Sequence, residues 1–336
     1  MNIMVFDVPA ESGGALSVLT DFYKEVMTNQ NSGVKWIFVV SKPILDETDN
    51  IKVLRFPWIK KSLLHRIFFD YLVAPLLLRI YKVNRVLSLQ NVTVPFSNIP
   101  QTLFVHNAIP FSDIKFSFKE NKYLWFYQNI IGKKIMKSIS NADKVLVQTE
   151  WMKRACIRDT GISSEKVEVK FPEIKIEVKK TFEYNGASPL VFFYPASAVE
   201  FKNHRLILEA CRKLRKKNYR VVLTLNGDEN ASIKEIYRIV KKENLPISFI
   251  GNLNRDEVFE YYTNSVLIFP SYIETVGLPL LEAKLHNCFI LASDCSFAHD
   301  MLDSYDMAFY FNPFNPKELA NQMDYIIDKC RNGFRL

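Results

Sequence analysis

Short apolar runs recur along this chain, and between them lie segments with apolar residues at helical spacing. That alternation constrains the fold more than any single motif, because strands separated by helices pair in parallel and bury both sheet faces. The runs lie at Met4–Asp7, 34–41, 84–91, 101–107 and 142–149, then at 189–196, 219–227, 248–252, 265–271 and 288–294. Helical spacing covers 15–27, 203–217, 256–264 and 278–287. A chain of 336 residues exceeds what one hydrophobic core usually serves. After residue 160 the texture turns polar and is broken by prolines and a glycine. The expected organisation is an α/β domain over 1–168, a linker over 169–188 and a second α/β domain over 189–336. Open parallel sheets bind ligands beyond the carboxyl ends of their strands, so two such domains are expected to face one another across a deep cleft.

Composition removes several classes. The five cysteines form no C-x-x-C pair, which suits a reduced, cytoplasmic protein. The amino terminus reads as a strand running into Ser12-Gly13-Gly14 rather than a signal peptide. The most apolar run, 71–78, is too short for a membrane span and contains Pro75. The formal net charge of +8 fits an acidic substrate, an anionic membrane or nucleic acid, but no nucleic-acid-binding module is present. No spacing such as H-E-x-x-H marks a metal site. Asp46 to Asp49 read as a surface turn.

The richest chemistry lies in FPSYIETVGLPLLEAKLHNCFILASD, residues 269–294. A strand ends there, Gly277 allows close backbone approach, and Pro279 suits a first helical turn. The N–H groups of Thr275, Val276, Gly277 and Leu278 would then form a helix-start anion site, which a diphosphate fills. Glu274 precedes it and can accept hydrogen bonds from sugar hydroxyls. Glu282 is about one turn in and can reach ribose hydroxyls. Two acids around a phosphate cradle describe a nucleotide sugar. The competing reading makes Glu282 a helix-start acid and Glu274 a surface acid.

Pro270, Ser271, Glu274, Gly277, Glu282 and Ala283 stand in register with the P-S-x-x-E-x-x-G-x-x-x-x-E-A signature. The stretch therefore resembles the retaining GT-B glycosyltransferases of the GT4 family (glycosyl transferases group 1), of bacterial O-antigen and capsule type. The resemblance implies that Lys202, in FKNHRLILEA, contacts the donor phosphates. It implies that Gly13 and Gly14 lie near the diphosphate and acceptor. It also implies that His106, in LFVHNAIPF, meets the donor sugar, with Asn107 beside it. His106, Lys202 and Glu274 are the expected catalytic residues. The donor set adds Gly13, Gly14, Asn107, Thr275, Val276, Gly277, Leu278 and Glu282. No essential metal or other cofactor is implied. Relatives often carry a glycine–arginine pair where this chain has Ala196 and Ser197, so either Arg205 or another base is expected to compensate, or Lys202 works with backbone donors alone. Many also run on into a last helix that crosses back, which this chain is expected to shorten or lack.

Two basic, aromatic segments, 60–85 and 117–141, suggest a lipid-linked oligosaccharide acceptor at an anionic inner-membrane surface. The expected activity is hexosyl transfer to a growing polyprenyl-diphosphate-linked glycan. Its rivals are a nucleotide-sugar 2-epimerase on the same fold and a non-catalytic scaffold of glycan assembly.

Overall fold

A computed structural model describes residues 1–11, 13–29, 33–119, 121–172, 178–184, 186, 189–216 and 218–331. The chain divides into two compact units, Met1–Phe171 and Pro172–Leu336. Ser12, residues 173–177, 185, 187 and 188 of the expected linker, and the last five residues lie outside the described set.

The first unit holds β1 (Asn2–Asp7), β2 (Lys35–Val40), β3 (Ile51–Arg55), β4 (Arg85–Ser88), β5 (Gln101–Val105), β6 (Lys144–Val147) and β7 (Val167–Val169). They form one sheet in the order β3-β2-β1-β4-β5-β6-β7, and every pairing is parallel. Side chains alternate across a strand, and β1 shows the result. Met4 and Phe6 pack on one face with Phe69, Leu77 and Leu78 of the 63–80 helical segment. Val5 packs on the other with Leu19, Tyr23 and Val26 of the helix Gly13–Thr28. The sheet is therefore the middle layer of three.

The second unit holds β8 (Leu190–Tyr194), β9 (Tyr219–Leu223), β10 (Ile247–Phe249), β11 (Ser265–Phe269), β12 (Ile290–Ser293) and β13 (Ala308–Phe311). Their order is β10-β9-β8-β11-β12-β13, again wholly parallel. β11 and β12 are buried along their whole length, as strands covered on both faces must be. The helix Pro316–Arg331 packs on the helix His204–Cys211.

Both sheets have the doubly wound order, in which the first strand's two neighbours are reached by connections running in opposite directions. The crevice at that reversal lies between β1 and β4 in the first unit. In the second it lies between β8 and β11. The loops after β1, β8 and β11 carry residues of the expected site, and His106 and Asn107 follow β5, the neighbour of β4.

Three strands are additional to those expected: β3, β7 and β13. All three are sheet edges. One expected helix is shorter than its periodicity suggested: 203–217 is helical only over His204–Cys211.

Candidate active site

In the second unit, two loops meet at the reversal point. The loop after β8 carries Lys202, and the loop after β11 carries Glu274. They are stapled together below the reacting groups. Asn203, in a left-handed conformation at φ 59°, donates from Nδ2 to the carbonyls of Pro270 at 3.3 Å and Pro313 at 2.7 Å. Asparagine tolerates that backbone region better than most residues. The buried Ser271 hydroxyl donates to the Phe201 carbonyl at 3.2 Å, and the Tyr272 N–H donates to it at 3.1 Å. The fully buried Tyr194 donates from its hydroxyl to the Lys202 carbonyl at 2.9 Å.

This scaffold brings two of the expected catalytic residues into contact: Lys202 Nζ pairs with Glu274 Oε1. Both side chains are largely shielded, 19% and 14% exposed, so water screens the pair less than it would a surface bridge. Glu274 is thus held by a partner rather than lying as a loose surface acid.

Gly277 introduces the helix Leu278–Leu285 at φ 75°. A Cβ there would strain the backbone and would stand 3.2 Å from Leu280 Cδ1 and 3.4 Å from the Phe269 ring. No side chain caps this helix start; Pro279 has no N–H and the Leu280 N–H donates to the Gly277 carbonyl at 2.8 Å, so Leu278 supplies the first-turn N–H for a ligand or water. Thr275 and Val276 lead into it, and Leu278 is its exposed first residue.

Glu282 is the fifth residue of that helix, beyond its first turn, which speaks against a simple helix-start acid. Its Oε2 accepts from the buried Tyr262 hydroxyl at 3.3 Å, and Oε1 lies 4.0 Å from Arg255 Nη2. Burial raises the Glu282 carboxyl above its ordinary range, while Arg255 and the Tyr262 hydroxyl oppose that rise.

Arg205, one expected substitute for the arginine of the glycine–arginine pair, is engaged elsewhere. Its guanidinium pairs with Glu235 on the helix Ala231–Glu243, and the side chain is 49% exposed. His204, next to Lys202, adds no charge at neutral pH. Burial, assisted by the nearby Lys202 charge, lowers its imidazole to about 4.

In the first unit, Gly13 and Gly14 open the helix after β1, Gly13 at φ 61°. A Cβ on either would meet nothing within 4 Å, so there is room for a ligand over this turn. His106 directly follows β5. Its Nε2 lies 2.7 Å from the Leu89 carbonyl beyond β4, which assigns the hydrogen to Nε2. Its N–H donates to Asn91 Oδ1 at 2.8 Å, and its ring stacks on Phe104. Burial lowers the imidazole pKa, so the ring is neutral at neutral pH. Asn107 donates from Nδ2 to the Tyr127 hydroxyl at 2.9 Å, and its Oδ1 accepts from the Ile109 N–H at 3.0 Å. Both residues are thus fixed by their own unit. His106 bridges the strand ends, as a structural histidine also would.

Sequence reasoning gave no role to Asn203, Tyr194, Tyr262 or Arg255. Asn203 had a signal, because an asparagine before a helical run is a candidate for a left-handed turn. The others act through contacts distant in sequence. Among the described residues, no group of three or more His, Cys, Asp or Glu side chains could hold a metal ion.

Residues 177–331 match the family model described as glycosyl transferases group 1. A search of curated proteins gives no match. Among solved structures, the chain is similar to a sucrose-phosphate synthase from Thermosynechococcus elongatus, with TM-score 0.71 and 15% identity, over 98% of this chain and 90% of that one. It is similar to Anabaena Alr3699/HepE, solved with UDP and glucose, with TM-score 0.68 and 15% identity over the same shares of 98% and 90%. The lipopolysaccharide outer core galactosyltransferase WaaB is matched with TM-score 0.64 and 18% identity, over 99% of this chain and 94% of that one. The second unit thus matches the glycosyl transferases group 1 model, and the chain has the two-sheet, doubly wound GT-B fold.

Proposed function

We propose that this protein is a retaining hexosyltransferase that extends a polyprenyl-diphosphate-linked surface glycan from the cytoplasmic side of the inner membrane. One observation carries the donor half of this reading. Lys202, Glu274 and the Gly277-led helix start converge at the reversal point of the second sheet. A diphosphate on the helix start would have Lys202 Nζ available to hold the charge that develops as the sugar departs. Glu274 then orients the sugar hydroxyls, and Glu282 takes the ribose. His106, Asn107 and the Gly13-Gly14 turn serve the sugar and acceptor from the first unit. In a front-face reaction, the leaving diphosphate oxygen takes the acceptor's hydroxyl proton, so the protein's share is orientation and electrostatics. This scheme calls on no metal ion.

The acceptor half is supported by the basic segments of the first unit and by likeness to a lipopolysaccharide galactosyltransferase. The test is to incubate the protein with UDP-, GDP- and dTDP-sugars and a polyprenyl-diphosphate-linked acceptor, reading the product's anomeric configuration by NMR. One donor should be consumed only when acceptor is present, with retained configuration. Conversion of the donor to an isomer without acceptor would instead mean a 2-epimerase. An inert mixture across all donors would favour a scaffold.

A further inference from the structure

We propose that the helical segment 63–80 of the first unit, with Phe96 beside it, is the surface by which this protein lies on an anionic lipid bilayer. The inference rests on the reading of a lipid-linked acceptor and names the face that seats on the membrane.

Ser62 caps the segment, its hydroxyl accepting from the His65 N–H at 3.4 Å. The helix Leu63–Phe68 then passes through a π-helical turn, Phe69–Val73, into the helix Ala74–Ile80. One side packs into the core through Phe69, Ala74, Leu77 and Leu78. A helix lying on a sheet normally turns a polar face to water. This one does not. Leu63, Leu64, Phe68, Leu72, Leu76 and Ile80 are each between 52% and 76% exposed. At 3.6 residues per turn, the sixteen steps from Leu64 to Ile80 would carry Ile80 about 160° round the axis. The wider π turn takes out part of that swing and keeps the exposed residues closer to one face. The result is an apolar strip about 27 Å long, well beyond the scattered apolar residues of an ordinary surface.

Along the segment itself the charge is one-sided, while Glu47 and Asp49 line a cavity with Ile80 and Lys82, and Glu11 pairs with Lys60 at 3.6 Å. Asp70 is the only acid between residues 57 and 85, and it is buried. Arg66 Nε and Lys134 Nζ neutralise it at 2.9 and 2.6 Å. Lys61, Arg79, Lys82 and Arg85 are all exposed. Phe96 is an independent sign. Its backbone is left-handed at φ 57°, its side chain is 81% exposed, and its ring lies 6.0 Å from that of Tyr71. A bulky residue held in a strained conformation and pushed into water is a feature expected of a site that inserts into something.

The occupant these features select is lipid. A second copy of the chain, docked face to face, would set one basic rim against the other. Anionic headgroups complement the rim while the strip enters the acyl boundary. No helix among the described residues is long and apolar enough to cross a membrane, so the segment would lie in the interface plane.

The test is co-sedimentation of the full chain with vesicles of phosphatidylcholine, alone or mixed with phosphatidylglycerol. Binding to mixed vesicles should exceed binding to the neutral ones by at least about tenfold and should weaken as salt is added. Leu64→Ser/Leu72→Ser should lose at least about tenfold of that binding, with unchanged thermal unfolding showing that the variant folds. Equal binding of wild type to both vesicles would overturn the inference, as would full binding by the double variant. So would self-association that the double variant abolishes, in a protein that ignores vesicles. Nucleotide-diphosphate binding, measured in solution on the same samples, separates the two claims. Nucleotide bound without vesicles sinks only the membrane face, whereas vesicles bound without nucleotide supports that face and counts against the donor reading.

Discussion

The pairing of Lys202 with Glu274 gives the proposed donor site a resting state in which its cation is already neutralised. A diphosphate must compete with Glu274 for Lys202, or share it. Replacing Glu274 with Gln should therefore tighten nucleoside-diphosphate binding by about three- to tenfold, through loss of a repelling carboxylate. Transfer should fall by about 10²-fold or more as sugar orientation is lost. Calorimetry with the diphosphate and initial rates with the full donor separate the two effects. A loss of both binding and rate would mean that Glu274 holds the loop rather than the sugar. Asp7, at the carboxyl end of β1, allows a pH prediction. Burial pushes its carboxyl up to about 8, although the Ala10 backbone amide, Arg66 and Lys60 pull the other way. Between its unfolded value, 3.8, and about 8, the folded chain holds a proton that the unfolded chain has lost. Asp7 therefore makes stability fall as pH rises through that window, levelling off above about 8. Asp7→Asn should raise the Tm at pH 8 by at least about 2 °C and have a smaller effect near pH 4. An unchanged pH profile of Tm would remove Asp7 from this account.

Two short elements position the donor chemistry, and each can be broken separately. Asn203→Ala forfeits two hydrogen bonds to loop carbonyls and strains a left-handed backbone, so it should cost about 1–3 kcal/mol. Asn203→Gly keeps the backbone and should cost less, while both lower transfer because one of the ties between the Lys202 loop and the Glu274 loop is lost. Gly277→Ala adds a Cβ against Leu280 and the Phe269 ring at φ 75°. It should lower Tm by several degrees and weaken nucleotide binding. Thermal unfolding with and without nucleotide distinguishes these outcomes. The central strands were legible in the sequence because burial on both faces makes them continuous apolar runs, as in Ser265–Phe269. β3 and β7 escaped because edge strands are covered less completely and mix exposed residues among buried ones. β13, also an edge, is four residues long with only Phe311 fully buried. The helix from His204 stops at Cys211, although the basic residues that follow could extend its apolar spacing. The glutamates and Gly277 were legible because their spacing is local. The partners Tyr262, Arg255 and Tyr194 were not, since the strand order that places them is not written in any window of sequence.

At the scale of the whole molecule, two sheets of the same doubly wound order are joined in one chain, and the family model covers only residues 177–331, within the second unit. That asymmetry fits a division of labour in which the donor chemistry belongs to the second unit and the acceptor and membrane surface to the first. The central claim is that Glu282 and the Gly277-led helix start bind a nucleoside diphosphate. The most direct measurement is thermal unfolding of the full chain with UDP, GDP or dTDP, on wild type and on Glu282→Ala. One of the three should raise the wild-type Tm, by an amount that grows with its concentration, and should leave Glu282→Ala unmoved. If none shifts the wild type, or if the variant responds as the wild type does, the donor site is not where this account places it.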